Sequence, residues 1–152
     1  MLRSIFLTLI IGFALDVFAW NYPENLLDIP FEGMGTQENP YIIGSAQDLC
    51  NLSWKVNNGF SYKDSYFKVT ADIDLQSKEW IPIGSGGTSF QGYFEGDGHT
   101  ISNLVVRSPK VYKYWSYYSY LYDYSIGLFG NIEEATITIL TGFKNWTNTI
   151  TR

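Results

Sequence analysis

Along the 152-residue chain the spacing of apolar positions changes twice. Ser4 to Leu15 (S-I-F-L-T-L-I-I-G-F-A-L) is an apolar run of about 12 residues behind Met1-Leu2-Arg3. A helix needs about 20 residues to span a ~30 Å hydrocarbon core, so this run is too short for a membrane span. Asp16-Val17-Phe18-Ala19 follows, and Val-x-Ala suits the small-residue rule of a signal peptidase site. The expectation is a signal peptide over 1–19, cleaved after Ala19, with no stable membrane span afterwards and a secreted or cell-surface destination.

Residues 20–37 are punctuated by Pro, Gly and Asn and read as an irregular lead-in. Asn39-Pro40-Tyr41-Ile42-Ile43 is extended, because proline disfavours helix at the residue before it. The spacing then becomes helical. Ser45 is placed to cap, with Asp48 three residues on as an approximate capping box. Ala46, Leu49, Leu52, Ser53 and Val56 share one face, and Asn57-Asn58-Gly59 supplies a stop. A helix over about 45–58 is expected, and no other.

After Gly59 the period falls to two, at Tyr66–Thr70, Asp72–Leu75, Trp80–Ile83, His99–Val106, Ile126–Gly130 and Ala135–Leu140. Gly84 to Gly98 holds six glycines in fifteen residues. One helix followed by many short strands with glycine turns leaves a sandwich open. Strands of three to five residues suit a solenoid better, with the helix covering the open end of its first coil.

Particular strings sharpen this. Gly35-Thr-Gln-Glu-Asn-Pro-Tyr-Ile-Ile-Gly44, Tyr66-Phe-Lys-Val-Thr-Ala-Asp-Ile-Asp-Leu75 and Trp80-Ile-Pro-Ile-Gly84 stand in order along the chain. Phe90-Gln-Gly-Tyr-Phe-Glu-Gly-Asp-Gly-His-Thr-Ile-Ser-Asn-Leu104 and Gly127-Leu-Phe-Gly130 follow. Over about 35–140 the chain resembles exported bacterial surface proteins that carry Glug motifs. The resemblance implies a right-handed parallel β-helix within adhesin-like proteins, so the expected fold is mostly β: a short β-helix over 38–140 capped by one N-terminal amphipathic helix. Some immunoglobulin-A-cleaving metallopeptidases carry such repeats beside a zinc domain. That domain needs at least two histidines and this chain has one. Family members usually continue into further coils, whereas residues 141–152 read as an irregular tail. The chain therefore looks like a start unit without its array, which a truncated gene, a fragment or a small independent variant would each fit.

Composition narrows the chemistry. Ten Lys+Arg against 15 Asp+Glu give a net charge of −5, which disfavours nucleic acid because phosphate backbones require clustered cations. One cysteine excludes an internal disulfide framework, and Cys50 reads as buried in the helix. The glycine run lacks the Gly-Lys-Ser/Thr ending of a phosphate loop, so no cofactor is expected. His99 reads as a corner residue, and Asn51 and Asn145 as chance matches to the glycosylation acceptor. Asp72, Asp74, Glu95 and Asp97 are the acidic residues placed to face one another. They are read first as solvated corner carboxylates, then as a calcium-binding cluster such as a polysaccharide-lyase-like remnant would carry, then as a catalytic carboxylate pair for glycoside hydrolysis.

Aromatic residues make up 18% of the chain, and seven of its 12 Tyr fall between Tyr112 and Tyr124. Tyr112, Tyr114, Trp115, Tyr117, Tyr118, Tyr120, Tyr122 and Tyr124 form an excursion over 110–124, and they are the ligand-contact candidates. Tyr and Trp offer broad amphipathic surfaces at low entropic cost, which suits a glycan or a host or cell-surface protein. The function expected is a non-catalytic exported module for surface interaction, adhesion or scaffolding. The hydrophobic strand Ala135–Leu140 is expected to leave an edge open to self-association.

Overall fold

The computed structural model describes residues 29–108, 110–113, 120–123, 127–138, 142–144 and 147–150, with side chains for 29–106 and 127–138. Calls on residues 1–28, including the signal peptide and its cleavage site, lie outside the described residues.

Pro40 leads into β1 (Tyr41–Ile43). Helix α1 (Ala46–Asn57) starts at Ser45, whose Oγ accepts from Asp48 N at 3.2 Å while donating to Asp48 Oδ2 at 2.7 Å. Asp48 Oδ2 also accepts from Gly44 N, so the cap and the acidic residue satisfy each other and the first turn. At the far end Gly59, at φ 101°, donates to Val56 O and turns the chain out of the helix. Leu49, Cys50, Leu52, Ser53 and Val56 are fully buried. Asn51 and Lys55 are buried as well, because the lead-in folds over a second side of the helix. Asn51 Nδ2 and Lys55 Nζ both donate to Ile29 O, and Lys55 sits 5.3 Å over the Phe31 ring.

The strands that follow are β2 (Tyr66–Val69), β3 (Ile73–Asp74), β4 (Tyr93–Glu95), β5 (Thr100–Ser102) and β6 (Val105–Ser108). After them come β7 (Lys110–Lys113), β8 (Tyr120–Asp123), β9 (Thr136–Thr138), β10 (Gly142–Lys144) and β11 (Thr147–Ile150). The largest sheet runs β1-β2-β4-β9, all parallel, with Tyr41, Phe67, Phe94 and Ile137 in one register row. A second runs β10-β5-β3, a third pairs β11 with β6, and β7 with β8 forms an antiparallel hairpin.

This corrects the expected β-helix. The described strands form four small sheets of four, three, two and two strands, one of them antiparallel, and no regular solenoid of repeating coils is detected. The strands are two to four residues long, because left-handed residues stop them: Gln76, Ser77, Asp97 and Asn103 all have positive φ. Between β3 and β4 the described strand pairing is reduced to single bridges, Glu79 to Val105, Ile83 to Phe129 and Phe90 to Ile132. The tail, expected to be irregular, supplies β10 and β11.

The sheets and helix enclose one core in which Ile43, Leu49, Phe67, Leu75, Trp80, Ile83, Phe90 and Ile101 are fully or almost fully buried. Trp80 keeps its indole N–H satisfied by donating to Leu128 O at 3.1 Å. Rings of Phe31, Phe67, Phe90, Phe129 and Phe94 touch in series at 5.2–5.8 Å.

Candidate functional site

Alternation within β2 and β4 turns Phe67, Val69 and Phe94 inward and leaves Tyr66, Lys68, Tyr93 and Glu95 on the outer face. Because the strands are parallel and in register, Tyr66 stands beside Tyr93 and Lys68 beside Glu95. The two phenol rings stack at 4.3 Å with 6° between their planes. Thr136, exposed and small, comes next in the row, so among the described residues the row carries no further ring beyond Tyr93. The Tyr66 phenol is held above its ordinary pKa, first by desolvation from its neighbours and then by Tyr93 as a nearby charge and hydrogen-bond partner. Lys68 Nζ lies 3.1 Å from Asp97 Oδ2, and that bond keeps its pKa raised. The face therefore offers a flat aromatic pair edged by a cation and two carboxylates.

This pair was not among the sequence candidates. The signal was present: Tyr66-Phe67-Lys68 and Tyr93-Phe94-Glu95 repeat one pattern with opposite charges at the third position. Two such tripeptides placed side by side in a parallel sheet must bring like residues together.

The acidic candidates fall into two places. Asp72 Oδ1 accepts from Thr100 N at 2.9 Å and lies 3.4 Å from His99 Nδ1. Asp74 Oδ1 accepts from Gln76 N and Asn103 Nδ2, both at 2.7 Å, and these bonds lower its pKa. Glu95 ends β4 in the other sheet and Asp97 stands in the turn after it, both beside Lys68. Among the described residues no group of three or more His, Cys, Asp or Glu is arranged to hold a metal ion. His99 has a carboxylate beside it but no nucleophile in contact among its described bonds.

The glycine run is tied down from inside. Asn57 Oδ1 accepts from Gly84 N at 2.9 Å and Ser85 N at 2.8 Å, the amides a phosphate would otherwise engage. Gly84, at φ 83°, also lies so close to the Asn131 carbonyl that a Cβ would collide with it. Asn51 is 3% exposed inside α1, consistent with a chance glycosylation match, while Asn145 lies outside the described residues.

Of the tyrosine-rich candidates, Tyr112 is paired with Leu121, Tyr120 with Lys113 and Tyr122 with Val111 across the β7–β8 hairpin. Tyr114, Trp115, Tyr117, Tyr118 and Tyr124 lie outside the described residues.

No family model matches the chain, and no solved structure matches it. Two curated relatives do. A protein described as a Gly-rich membrane protein from Evansella cellulosilytica is 32% identical over 109 residues, covering 67% of this chain. A halomucin from Haloquadratum walsbyi is 30% identical over 119 residues, covering 70% of this chain. The chain spans only 10% of the first relative's length and 1% of the second's.

Proposed function

We propose that the chain is a surface-associated, non-catalytic module whose outer β2–β4 face binds neutral glycans. The observation that carries this is the half-buried Tyr66–Tyr93 stack on the outer face, with the small Thr136 next to Tyr93 in the register row. A phenol ring presents an apolar face with a polar tip, matching a sugar's apolar C–H face and hydroxyl rim. The charged fringe of Lys68, Glu95 and Asp97 supplies donors and acceptors. The net charge of −5 argues for neutral over acidic glycans. The relatives' names, a Gly-rich membrane protein and a halomucin, support a surface or membrane-associated setting. Export with cleavage after Ala19, and kinship with the Glug-motif proteins, belong to the same reading and rest on the strings quoted from the sequence. No described helix is long and apolar enough to cross a membrane.

The test is titration of the purified protein with dextran, polygalacturonate and a desialylated, unsulfated mucin glycoprotein, followed by calorimetry. Dextran or mucin glycans bind and polygalacturonate does not. Tyr93→Ser weakens binding about tenfold or more, and Tyr93→Phe stays within about threefold, since the ring rather than the hydroxyl provides the contact. Binding unchanged in Tyr93→Ser and Tyr66→Ser would remove this face and direct attention to Tyr112–Tyr124. No binding by the parent protein overturns the reading.

A further inference from the structure

The four-stranded sheet has two edges, and they are finished differently. At one edge, β1 turns the backbone of Tyr41 and Ile43 toward β2, and the outward N–H of Ile42 is taken by Glu32 O at 2.9 Å. The lead-in thus closes that edge. At the other edge, Thr136 N donates to Gly92 O and Thr138 O accepts from Gly96 N, so both threonines spend their backbone groups on β4. By strand alternation Ile137 directs its N–H and C=O away from β4. Among the described residues no strand lies beyond β9.

The apolar core is open at the same place. Ile132 follows Phe90, and Ile137 follows Phe94, one strand spacing beyond those buried rings. They are 52% and 38% exposed, against 0% and 1% for the phenylalanines behind them. Glu133 and Glu134 flank this edge, but they are engaged sideways by Gln91 and Lys63.

We infer that β9 is a self-association edge that pairs antiparallel with β9 of a second copy about a twofold axis at Ile137. Thr136-Ile137-Thr138 reads the same in both directions, so the axis sets Ile137 opposite Ile137 and each Thr136 opposite the partner's Thr138. Directly opposed residues of a hydrogen-bonded antiparallel pair exchange both of their backbone bonds. Ile137 therefore has the two groups needed and points both outward. Within that three-residue register only Thr and Ile face one another, so no acid meets an acid despite the net charge of −5. Head-to-tail addition onto β1 is blocked by Glu32, which leaves the isologous pairing. Four strands from each copy become one continuous sheet, and the two copies of Ile137 cover each other. The inference holds whatever the Tyr66–Tyr93 face binds.

Sedimentation velocity of the purified protein over a range of concentrations tests it. A monomer–dimer equilibrium is expected, and Ile137→Pro, which removes only an outward N–H, weakens it about 50-fold or more. Circular dichroism checks that the variant folds. Ile137→Cys gives a register test that does not depend on affinity. Opposed Cα atoms about 5.5 Å apart fall within the span of about 4.4–6.8 Å that a disulfide bridges. Mild oxidation therefore links two Ile137→Cys copies, whereas Thr136→Cys, about 8 Å from its own mate, stays unlinked. A protein that remains monomeric at all concentrations overturns the inference. So does a dimer indifferent to Ile137→Pro, or equal cross-linking at 136 and 137, either of which points to another partner surface.

Discussion

Asp74 accepts two hydrogen bonds through one oxygen, from the Asn103 side chain and the Gln76 backbone. Both act only in the folded chain and stabilise the ionised form, lowering the carboxyl's pKa, with Asn103 the larger cause. A carboxyl that is more acidic when folded contributes its full stabilisation above the unfolded value, and loses it as pH falls through the folded one. Below about pH 5, where an unfolded aspartate starts to take up its proton, the parent protein should therefore lose more stability than Asp74→Asn. Urea midpoints of both proteins at pH 6 and pH 3 measure the difference, and equal losses would refute the assignment. At this scale, what the sequence discloses depends on distance along the chain. Ser45 and Asp48 were readable as a cap because they are three residues apart. Asn57 was readable only as a helix stop, because Pro82, Gly84 and Ser85 lie 25 to 28 residues away.

Among the elements, α1 is held by polar straps as well as by its apolar face. Ser53 Oγ donates to Ile81 O at 2.6 Å, and Asn57 Nδ2 donates to Pro82 O at 3.0 Å, so the helix holds the segment that carries Ile83 into the core. Asn57→Ala removes the acceptor for two buried N–H groups and the donor for a buried carbonyl, and should cost about 2–4 kcal/mol. Asn57→Asp keeps the acceptor and loses the donor, so its urea midpoint should lie between the two. The helix was legible because a cap, a repeat and a stop coincide over a short span. Sheet membership was not. Period-two segments with glycine corners look alike whether they build repeating coils or the unequal sheets found here, and β10 finds β5 about forty residues earlier in sequence. The β9 edge was visible as a hydrophobic strand, but its register came only with the partners of β4.

For the molecule as a whole, the high aromatic content divides by location. Phe31, Phe67, Phe90, Phe94 and Phe129 form a connected interior, whereas Tyr66 and Tyr93 form a surface. Tyr62 lies between these groups, beside Phe67 and Tyr41, and burial followed by Tyr41 raises its phenol to about 12. Sequence reading gave its attention to the densest tyrosine run, while the face built here comes from two tyrosines 27 residues apart. Density along the chain is a poor guide to density in space when strands pair in parallel. Cys50 turns the shared interior into something measurable. It is the chain's one cysteine, it is 0% exposed, and it lies on the helix that Asn57 straps down. A thiol reagent in solution reaches it only while α1 is lifted away, so the labelling rate times that opening. The parent protein should react roughly a thousandfold or more slowly than in urea, and Asn57→Ala should close much of that gap. One sulfur atom thus serves as a built-in stopwatch for the moments when helix and sheets part.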